Sequence, residues 1–276
     1  MLDFLVDDSR CTRCGQCVRD CPTQIIAQAG GTVPRIAPEL EGNCLQCQHC
    51  LAVCPTAAIS MLGKNPDNSL PVSARDLPRF EQMSRLLRAR RSVRQYKDEN
   101  VDPELIRQLL TAVANGPTGV NRRALTFTVI DDRAVMQRFR GQVLAAIEAA
   151  GAAGRLAERM QILRNAVPEY YQQGRDMIFR TAPHVLVVSA APDARCPHED
   201  VALALAYFEL LAQSAGLGTV WCGLLKMTLE ALPELKPLLG LAPDHHYYAM
   251  LFGVPAVHYA RTVQRDDAAV LKRVPL

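Results

Sequence analysis

The pattern of apolar and polar residues changes near residue 80 and divides the chain into two parts. Beyond that point, helical periodicity and continuous apolar runs predict long helices and buried strands. The predicted helices are Phe80–Arg90, a segment from Asp102 to about Asn115, most of 132–180, and Glu199–Ala215. The predicted strands are Leu125–Ile130, His184–Ala190, Thr219–Trp221 and Tyr247–Phe252, followed by a C-terminal tail from Val254 to Leu276. This part therefore mixes helices with strands that need covering on both faces.

The first 62 residues show no such periodicity and predict short hairpins and helical turns. The apolar side chains that are expected to cover the interior of this part are those of Ile25, Ile26, Val33, Ile36, Leu51, Ile59 and Leu62. Residues 63–80 are rich in glycine, proline, asparagine and serine, which predicts a partly extended linker. The predicted organisation is a small domain at 1–62, a linker at 63–80 and a second domain at 81–276.

Composition narrows the class of protein. The chain has 276 residues, of which 49% are hydrophobic, so two domains with a sizeable core are expected. The net charge of +3 is mild and the basic residues are scattered, which does not indicate a nucleic-acid partner. No apolar run reaches the roughly 18 residues of a membrane span, and the N-terminus lacks the features of a signal peptide. We therefore expect a soluble, cytoplasmic protein.

Two cysteine runs dominate the N-terminal part, and each reads Cys-x2-Cys-x2-Cys-x3-Cys-Pro. This spacing suits two [4Fe–4S] clusters. Three cysteines two residues apart can reach three irons of one cubane, while the fourth points away and binds the other cluster. The predicted ligands are Cys11, Cys14, Cys17 and Cys54 for one cluster, and Cys44, Cys47, Cys50 and Cys21 for the other.

Zinc and disulfides are the alternatives for these cysteines. Zinc usually takes cysteines in separated pairs, which would leave the third cysteine of each run surplus. Disulfides need an oxidising compartment, and nothing in the sequence looks secreted. Both runs are also followed by similar segments that begin at Pro22 and Pro55, so the region is an internal repeat. Residues 1–62 resemble a bacterial two-cluster ferredoxin of the 2[4Fe–4S] kind.

Four motifs occur in order along the second part of the chain. They are Arg90–Arg94 (RRSVR), Gly116–Asn121 (GPTGVN), Leu217–Gly223 (LGTVWCG), and Phe252–Pro255 (FGVP) with Tyr259 and Arg261. Together they resemble the FMN-dependent nitroreductase family over residues 81–276. The combination of both parts resembles the ferredoxin–nitroreductase fusions of anaerobic bacteria.

The resemblance implies a homodimeric α+β fold with a central, mainly antiparallel sheet flanked by helices, and one FMN per subunit at the dimer interface. It also implies a set of flavin-binding residues. These are Arg90, Arg91, Ser92 and Arg94, the loop residues Pro117, Thr118, Gly119 and Asn121 that reach the partner's FMN, the backbone around Cys222, Gly223 and Leu224 near the flavin N5, and Arg261 near the phosphate.

The sequence departs from the family pattern at three places. Arg123, Ala124 and Leu125 replace the usual Gln-Pro-Trp, Gly119 replaces a serine, and His258 replaces a lysine. These changes bear on the polarity of the pocket and on its substrate. Gly216 and Gly218 do not form a dinucleotide fingerprint, because Trp221 holds the last position and a helix precedes them.

The expected function is electron transfer from the clusters to FMN and on to a small-molecule acceptor, such as a nitroaromatic compound or a quinone. An external ferredoxin or NAD(P)H would supply the electrons. One alternative is a flavin reductase driven by NAD(P)H that sends electrons out through the clusters. Another is a non-catalytic electron carrier or redox sensor, with the second domain as a dimer scaffold.

Overall fold

A computed structural model describes residues 2–265 and 269–275. The first residue of the predicted N-terminal domain and residues 266–268 and 276 of the predicted tail lie outside the described residues. The chain divides into two units. The N-terminal unit extends to Pro78 and includes Val120–Arg122, and the C-terminal unit comprises Arg79–Gly119 and the chain from Arg123 onward. Most of the predicted linker thus groups with the N-terminal unit. There the Arg10 guanidinium binds the Asp67 carboxylate, with Nη2 and Oδ1 2.7 Å apart.

The N-terminal unit consists of very short elements. They are β1 (Leu5–Val6), α1 (Gln16–Asp20), β2 (Ile26–Ala27), β3 (Arg35–Ile36), α2 (His49–Ala52) and β4 (Ile59–Ser60). β1 pairs with β4 and β2 pairs with β3, both antiparallel. The small core consists of Leu2, Ile25, Ile26, Ile59, Met61 and the side chains of Cys17 and Cys50. Since cysteines form part of this core, whatever binds them bears directly on the stability of the unit.

The C-terminal unit contains the longer elements. They are α3 (Phe80–Ala89), α4 (Pro103–Val113), β5 (Leu125–Ile130), α5 (Arg133–Ala152), α6 (Gln161–Gln173), β6 (His184–Ala190), α7 (Pro197–Ser214), β7 (Gly218–Trp221), α8 (Gly223–Ala231) and β8 (His246–Gly253). The predicted helices and strands are confirmed within two residues at most ends. Helix α8 was not predicted, because its sequence was interpreted only as a loop next to the strand.

The sheet of this unit has the order β5–β6–β8–β7, and all its neighbouring strands are antiparallel. Every residue of β6 is buried, because both faces of the sheet are covered. Val185 and Val187 pack toward α5, α6 and α8, while Leu186 and Val188 pack toward α4 and α7. The predicted α+β fold with a mainly antiparallel sheet is confirmed.

Two helix starts follow directly from capping chemistry. The Asp102 carboxylate accepts a hydrogen bond from the Glu104 amide at 2.9 Å, with Pro103 in the first turn. The Asp132 carboxylate accepts from the Val135 amide at 2.9 Å. Among the helices in the described ranges, none is both long enough and apolar enough to cross a membrane.

His184 is a buried polar residue at the start of β6. Its Nε2 accepts a hydrogen bond from the Val101 amide at 2.9 Å, and its ring centroid lies 5.1 Å from that of Phe252. Burial lowers the pKa of His184 below its ordinary value, because the imidazolium would lose its hydration. Burial and the hydrogen bond accepted by Nε2 both favour the neutral form of this side chain in the folded unit.

This burial predicts a loss of stability in mild acid. Below pH about 6.5 the unfolded chain protonates His184 while the folded chain does not, so the free energy of unfolding falls by at most about 1.4 kcal/mol per pH unit. Above that pH both states are neutral and the effect disappears. Thermal unfolding between pH 7.5 and 5.5 should show a shallower pH dependence for His184→Gln than for the wild type. The exposed His258→Gln is the control, and equal slopes for all three proteins would contradict the prediction.

Candidate functional sites

The eight cysteines of the two runs surround two separate cavities in the N-terminal unit. Each cavity takes three cysteines from one run and the fourth from the other run. The lining cysteines are Cys11, Cys14, Cys17 and Cys54 in one cavity, and Cys21, Cys44, Cys47 and Cys50 in the other. These are the two sets that the spacing predicted; ligation itself stays a prediction.

The backbone of the two runs adopts the same unusual conformations at equivalent positions. Arg13 and Gln46 have positive φ angles of 58° and 53°, and Gly15 and Gln48 follow with 68° and 59°. Positive φ is costly for residues other than glycine, so the fold maintains local strain at three of these four positions. The resulting tight loops turn successive cysteines toward a common cavity. Strained conformations cluster at binding sites, so their repetition at equivalent positions is consistent with a binding role for both loops.

Burial and hydrogen bonding shift the pKa values of the cavity cysteines in opposite directions. Burial raises the pKa of Cys50 to about 12 and also raises the pKa of Cys17, because a bare thiolate would lack hydration. The backbone amide of Gln16, aided by the Thr12 side chain, lowers the pKa of Cys14. A nearby cation would stabilise the thiolate form of the two buried side chains.

Backbone amides also point at the sulfur atoms. The Gln46 amide donates to Cys44 Sγ at 3.3 Å, and the Ala58 amide donates to Cys54 Sγ at 3.2 Å. Such N–H···S hydrogen bonds stabilise negative charge on thiolates and influence the reduction potential of a bound cluster. They are therefore consistent with sulfur atoms that carry charge in the working protein.

All ten cysteines are free thiols, so the disulfide alternative has no support. Within the residues that the structure describes, no three or more His, Cys, Asp or Glu side chains are arranged to hold a single metal ion. A cubane presents a separate iron to each of four thiolates, so its donors must surround a cavity. The four-cysteine cavities have the donor set that such a cluster requires.

In the C-terminal unit, the Arg-Arg-Ser-Val-Arg segment lies against β7. The Val93 amide donates to the Thr219 carbonyl at 2.9 Å, and Ser92 forms a parallel bridge with Thr219. A Cβ on Gly218 would lie only 2.7 Å from the Val93 side chain, so this close approach requires glycine. Two of the sequence motifs are thereby brought together, although more than 120 residues separate them.

A cavity of about 330 Å³ opens beside this segment. It is lined by Leu87, Arg88, Arg90, Arg91, Val263 and Arg265. Four guanidinium groups line one cavity, and the planar donor fork of arginine matches the oxygen atoms of a phosphate. Its volume lies within the range of about 300–1,000 Å³ that is usual for small-molecule sites. The chemistry of the lining therefore fits an anionic ligand.

The predicted flavin residues fall into two groups with respect to this cavity. Arg90 and Arg91 line it, whereas Arg261 is exposed and is not among the lining residues. Arg94 is also exposed, and its Nη1 donates to the Ser92 carbonyl at 3.3 Å. Arg265 is the arginine of the C-terminal stretch that lines the cavity, and the expected contact of Arg261 with a flavin phosphate stays a prediction.

The Gly116–Asn121 loop is fixed by helix α7. The Gly119 amide donates to Oδ1 of Asp200, a buried carboxylate in the first turn of α7, at 2.9 Å. The Thr118 hydroxyl accepts from the Arg123 amide at 2.9 Å. A Cβ on Gly119 would lie 2.9 Å from the Arg195 Cβ, so a larger residue at this position would require its neighbours to shift. Asp200 is a positioning residue that the sequence analysis did not identify.

The remaining residues of that loop differ in their surroundings. Pro117 is exposed, and Val120 and Asn121 both adopt positive φ angles, 48° and 55°. Asn121 groups with the N-terminal unit, where its side-chain amide donates to the Leu45 carbonyl at 2.9 Å. The predicted contact of Asn121 with a flavin stays a prediction.

The segment from Cys222 to Leu224 joins β7 to α8. The Cys222 amide donates to the Ala249 carbonyl at 2.8 Å, and its Sγ lies 3.3 Å from the Ile178 carbonyl. Burial raises the pKa of Cys222 to about 12, so this thiol is not a reactive one. The Gly223 and Leu224 amides lie in the first turn of α8, where amides have no intrahelical partner. Of the three predicted amides, only these two can therefore face a ligand.

Glu209 of α7 connects several of these segments. Its Oε1 accepts from Arg90 Nη1 at 3.0 Å and from the Thr219 hydroxyl at 3.2 Å. Its Oε2 accepts from Trp221 Nε1 at 3.3 Å. The sequence analysis assigned no role to Glu209. The available signal was an acid in the largely apolar stretch of the helix, because a carboxylate buried there needs hydrogen-bond partners.

Comparisons with known proteins agree with both units. Residues 87–254 match the model of the Nitroreductase family, and residues 10–59 match that of the 4Fe-4S dicluster domain. The ferredoxin-like and nitroreductase-like assignments made from the sequence are thereby confirmed.

One relative comes from Methanothermobacter thermautotrophicus and is provisionally named NADH dehydrogenase/NAD(P)H nitroreductase. It is 26% identical over 163 residues, which are 58% of this chain and 69% of the relative. The crystal structure of a Bacteroides fragilis nitroreductase with bound FMN is 20% identical, with a TM-score of 0.55, and covers 69% of this chain and 99% of its own. A Desulfitobacterium hafniense nitroreductase with bound FMN is 22% identical, with a TM-score of 0.53, and covers 69% and 97%. These two structures support the fold of the C-terminal unit.

Each predicted cluster takes its fourth ligand from the other cysteine run. Double variants should therefore lose clusters in an unusual pattern. Cys14→Ala with Cys54→Ala removes two predicted ligands of one cluster, so about four of about eight irons should remain per chain. Cys47→Ala with Cys54→Ala removes two cysteines of one run but one predicted ligand from each cluster, so both clusters should be lost. Iron and acid-labile sulfide are measured after anaerobic purification. The reverse order of iron contents would show that each run binds its own cluster.

Proposed function

This chain belongs to the nitroreductase family, and we propose that it is an oxidoreductase that uses two [4Fe–4S] clusters and FMN. Electrons pass from the clusters to FMN and then to a small-molecule acceptor such as a nitroaromatic compound or a quinone. The observation that carries the proposal is the presence, in one chain, of two four-cysteine cavities and a cavity lined by four arginines. The match to a 4Fe-4S dicluster domain and the FMN bound in two structural neighbours support the choice of cofactors.

When bound, the clusters carry single electrons and FMN converts between one- and two-electron transfer, which is the chemical sense of combining them. The chain itself supplies binding and orientation. The cysteine thiolates hold the clusters, and the surrounding amide hydrogens of Gln46 and Ala58 stabilise charge on sulfur. Free thiols throughout the chain suit a reducing compartment, such as the cytoplasm.

The arginine cavity is the proposed site of the FMN phosphate. Arg88 and Arg91 come from the end of α3 and the segment after it, and Arg265 comes from the C-terminal stretch. Arg90 adds a guanidinium whose Nη1 donates to Glu209. The predicted contact of Arg94 with the N1/O2 edge of the flavin remains part of the proposal. The Gly223 and Leu224 amides would lie near N5.

We also propose a homodimer with FMN at the subunit interface. The central helix α7 exposes the large apolar side chains of Leu203 and Tyr207, one turn apart. The C-terminal stretch exposes Val270, Leu271 and Val274 at 86%, 90% and 76%. Apolar side chains that are this exposed in one chain are suited to cover by a second copy.

Arg265 and Arg261 provide a matched pair that tests where the phosphate binds. Arg265→Ala should weaken FMN binding about tenfold or more, because a charge-assisted hydrogen bond to the phosphate contributes about 1.5–3 kcal/mol. Arg261→Ala removes the same charge outside the cavity and should change the affinity less than threefold. Equilibrium titration of the flavin-stripped full chain with FMN measures both. A larger effect of Arg261→Ala would move the phosphate site away from the cavity.

The direction of electron flow is tested by anaerobic stopped-flow absorption. Mixing with a reduced low-potential ferredoxin should bleach the clusters first and the flavin bands afterward, because low-potential clusters lie upstream of FMN. In the variant Cys14→Ala with Cys54→Ala, flavin bleaching by ferredoxin should slow at least about tenfold. Rapid flavin bleaching by NADPH that is unaffected in this variant would favour the NAD(P)H-driven alternative. Protein that binds no flavin would favour the electron carrier.

A further inference from the structure

Glu209 is a buried carboxylate in the middle of the most apolar helix of the C-terminal unit. Only 7% of the residue is exposed, and it accepts three hydrogen bonds that occupy both carboxylate oxygens. The donors belong to Arg90, Thr219 and Trp221, which come from two of the sequence motifs of the proposed FMN site. The carboxylate is thus fully partnered, as a buried charge must be.

Stability alone does not account for an acid at this position. Removing a carboxylate from water costs several kcal/mol, and replacing a buried ion pair with apolar side chains of similar volume is often neutral or stabilising. Helix α7 is apolar around Glu209, with Phe208 and Ala212 fully buried, so an apolar side chain would pack there. A role for the carboxylate is therefore to be sought in the groups that it holds.

Arg90 is the partner that connects Glu209 with the arginine cavity. Its side chain is 25% exposed and lines the cavity, while Nη1 is held at 3.0 Å by Glu209 Oε1. In the described part of the chain, the Arg90 side chain has no second hydrogen-bond partner. Because the guanidinium is planar and rigid, holding one nitrogen restricts the directions in which the remaining N–H groups can donate.

We propose that Glu209 is a positioning residue for the FMN phosphate, acting through Arg90. It holds the guanidinium so that its other donors face the cavity, and it fastens Arg90 to Thr219 and Trp221 on β7. The inference rests on the proposed function, since it requires FMN to bind in this cavity. It gives the buried acid of α7 a role in ligand recognition.

The charge of Glu209 acts in the opposite direction from this positioning. A carboxylate next to the cavity repels a phosphate, so its removal would strengthen FMN binding if charge alone mattered. The orientation of Arg90 has the opposite effect on FMN binding. Without Glu209 the guanidinium would be free to turn away, and the phosphate would lose a charge-assisted hydrogen bond. The two effects give opposite signs, and a binding experiment separates them.

The experiment compares FMN with riboflavin, which lacks the phosphate. Flavin is stripped from the full chain with its clusters retained, and dissociation constants for both ligands are measured by ultrafiltration and fluorescence of the free flavin. Glu209→Leu should weaken FMN binding about tenfold, corresponding to about 1.4 kcal/mol, while riboflavin binding changes less than about threefold. Glu209→Gln keeps an acceptor for Arg90 and should restore FMN affinity to within about threefold of the wild type.

Two further variants keep the result decisive. Glu209→Asp retains the charge but withdraws the carboxylate from Arg90, and it should show the same selective loss for FMN if the leucine variant does not fold. In the Arg90→Ala background, Glu209→Leu should cause no further selective loss, because both changes remove the same interaction. Glu234→Leu is the control, since Glu234 forms an exposed ion pair with Arg155 at 2.8 Å.

Equal weakening of FMN and riboflavin would reveal a purely structural role, and tighter FMN binding by Glu209→Leu would show that charge dominates. Either result overturns the inference. Failure of the proposed function looks different, because the wild-type protein would then bind neither flavin. If the wild type binds FMN and Arg90→Ala weakens it while the Glu209 variants do not, the function stands and this inference alone fails.

Discussion

The structure of the N-terminal unit depends on the two cysteine runs each contributing their last cysteine to the cavity of the other run. Each cavity combines three cysteines of one run with the last cysteine of the other, Cys54 or Cys21. A unit of this size buries little apolar surface, and two cysteines are part of its core. Metal binding then supplies free energy of folding as well as redox chemistry. Under this arrangement neither cysteine run completes a cavity without the last cysteine of the other run.

The C-terminal unit differs from this, because apolar side chains cover both faces of its sheet and stabilise it by packing. One cavity of this unit brings four guanidinium groups together. Helix α7 contributes two buried acids near the motifs: Asp200 accepts a hydrogen bond from the Gly119 amide, and Glu209 accepts one from Arg90. Segments that are distant in the sequence are thus held close together, because the acids of one central helix accept hydrogen bonds from them.

The parts that local sequence could predict are those governed by local rules. Cysteine spacing predicted both sets of cavity residues, and apolar runs predicted β6 at the observed bounds. Arg265 could not be predicted, because nothing in the pattern of the C-terminal stretch shows which arginine reaches the cavity. The partners of Glu209 are equally invisible, since they lie 10 to 119 residues away in sequence. Long-range pairing of polar groups is settled by the fold and leaves only a weak local signal.

The central claim is that one chain carries an iron–sulfur module and a flavin module together. Native mass spectrometry of the anaerobically purified protein tests it most directly, since it weighs the intact chain with everything bound. The account predicts two [4Fe–4S] clusters, or about eight irons and eight sulfides, and one FMN for each chain. Chains that carry zinc in place of iron, or whose mass leaves no room for FMN, would contradict it.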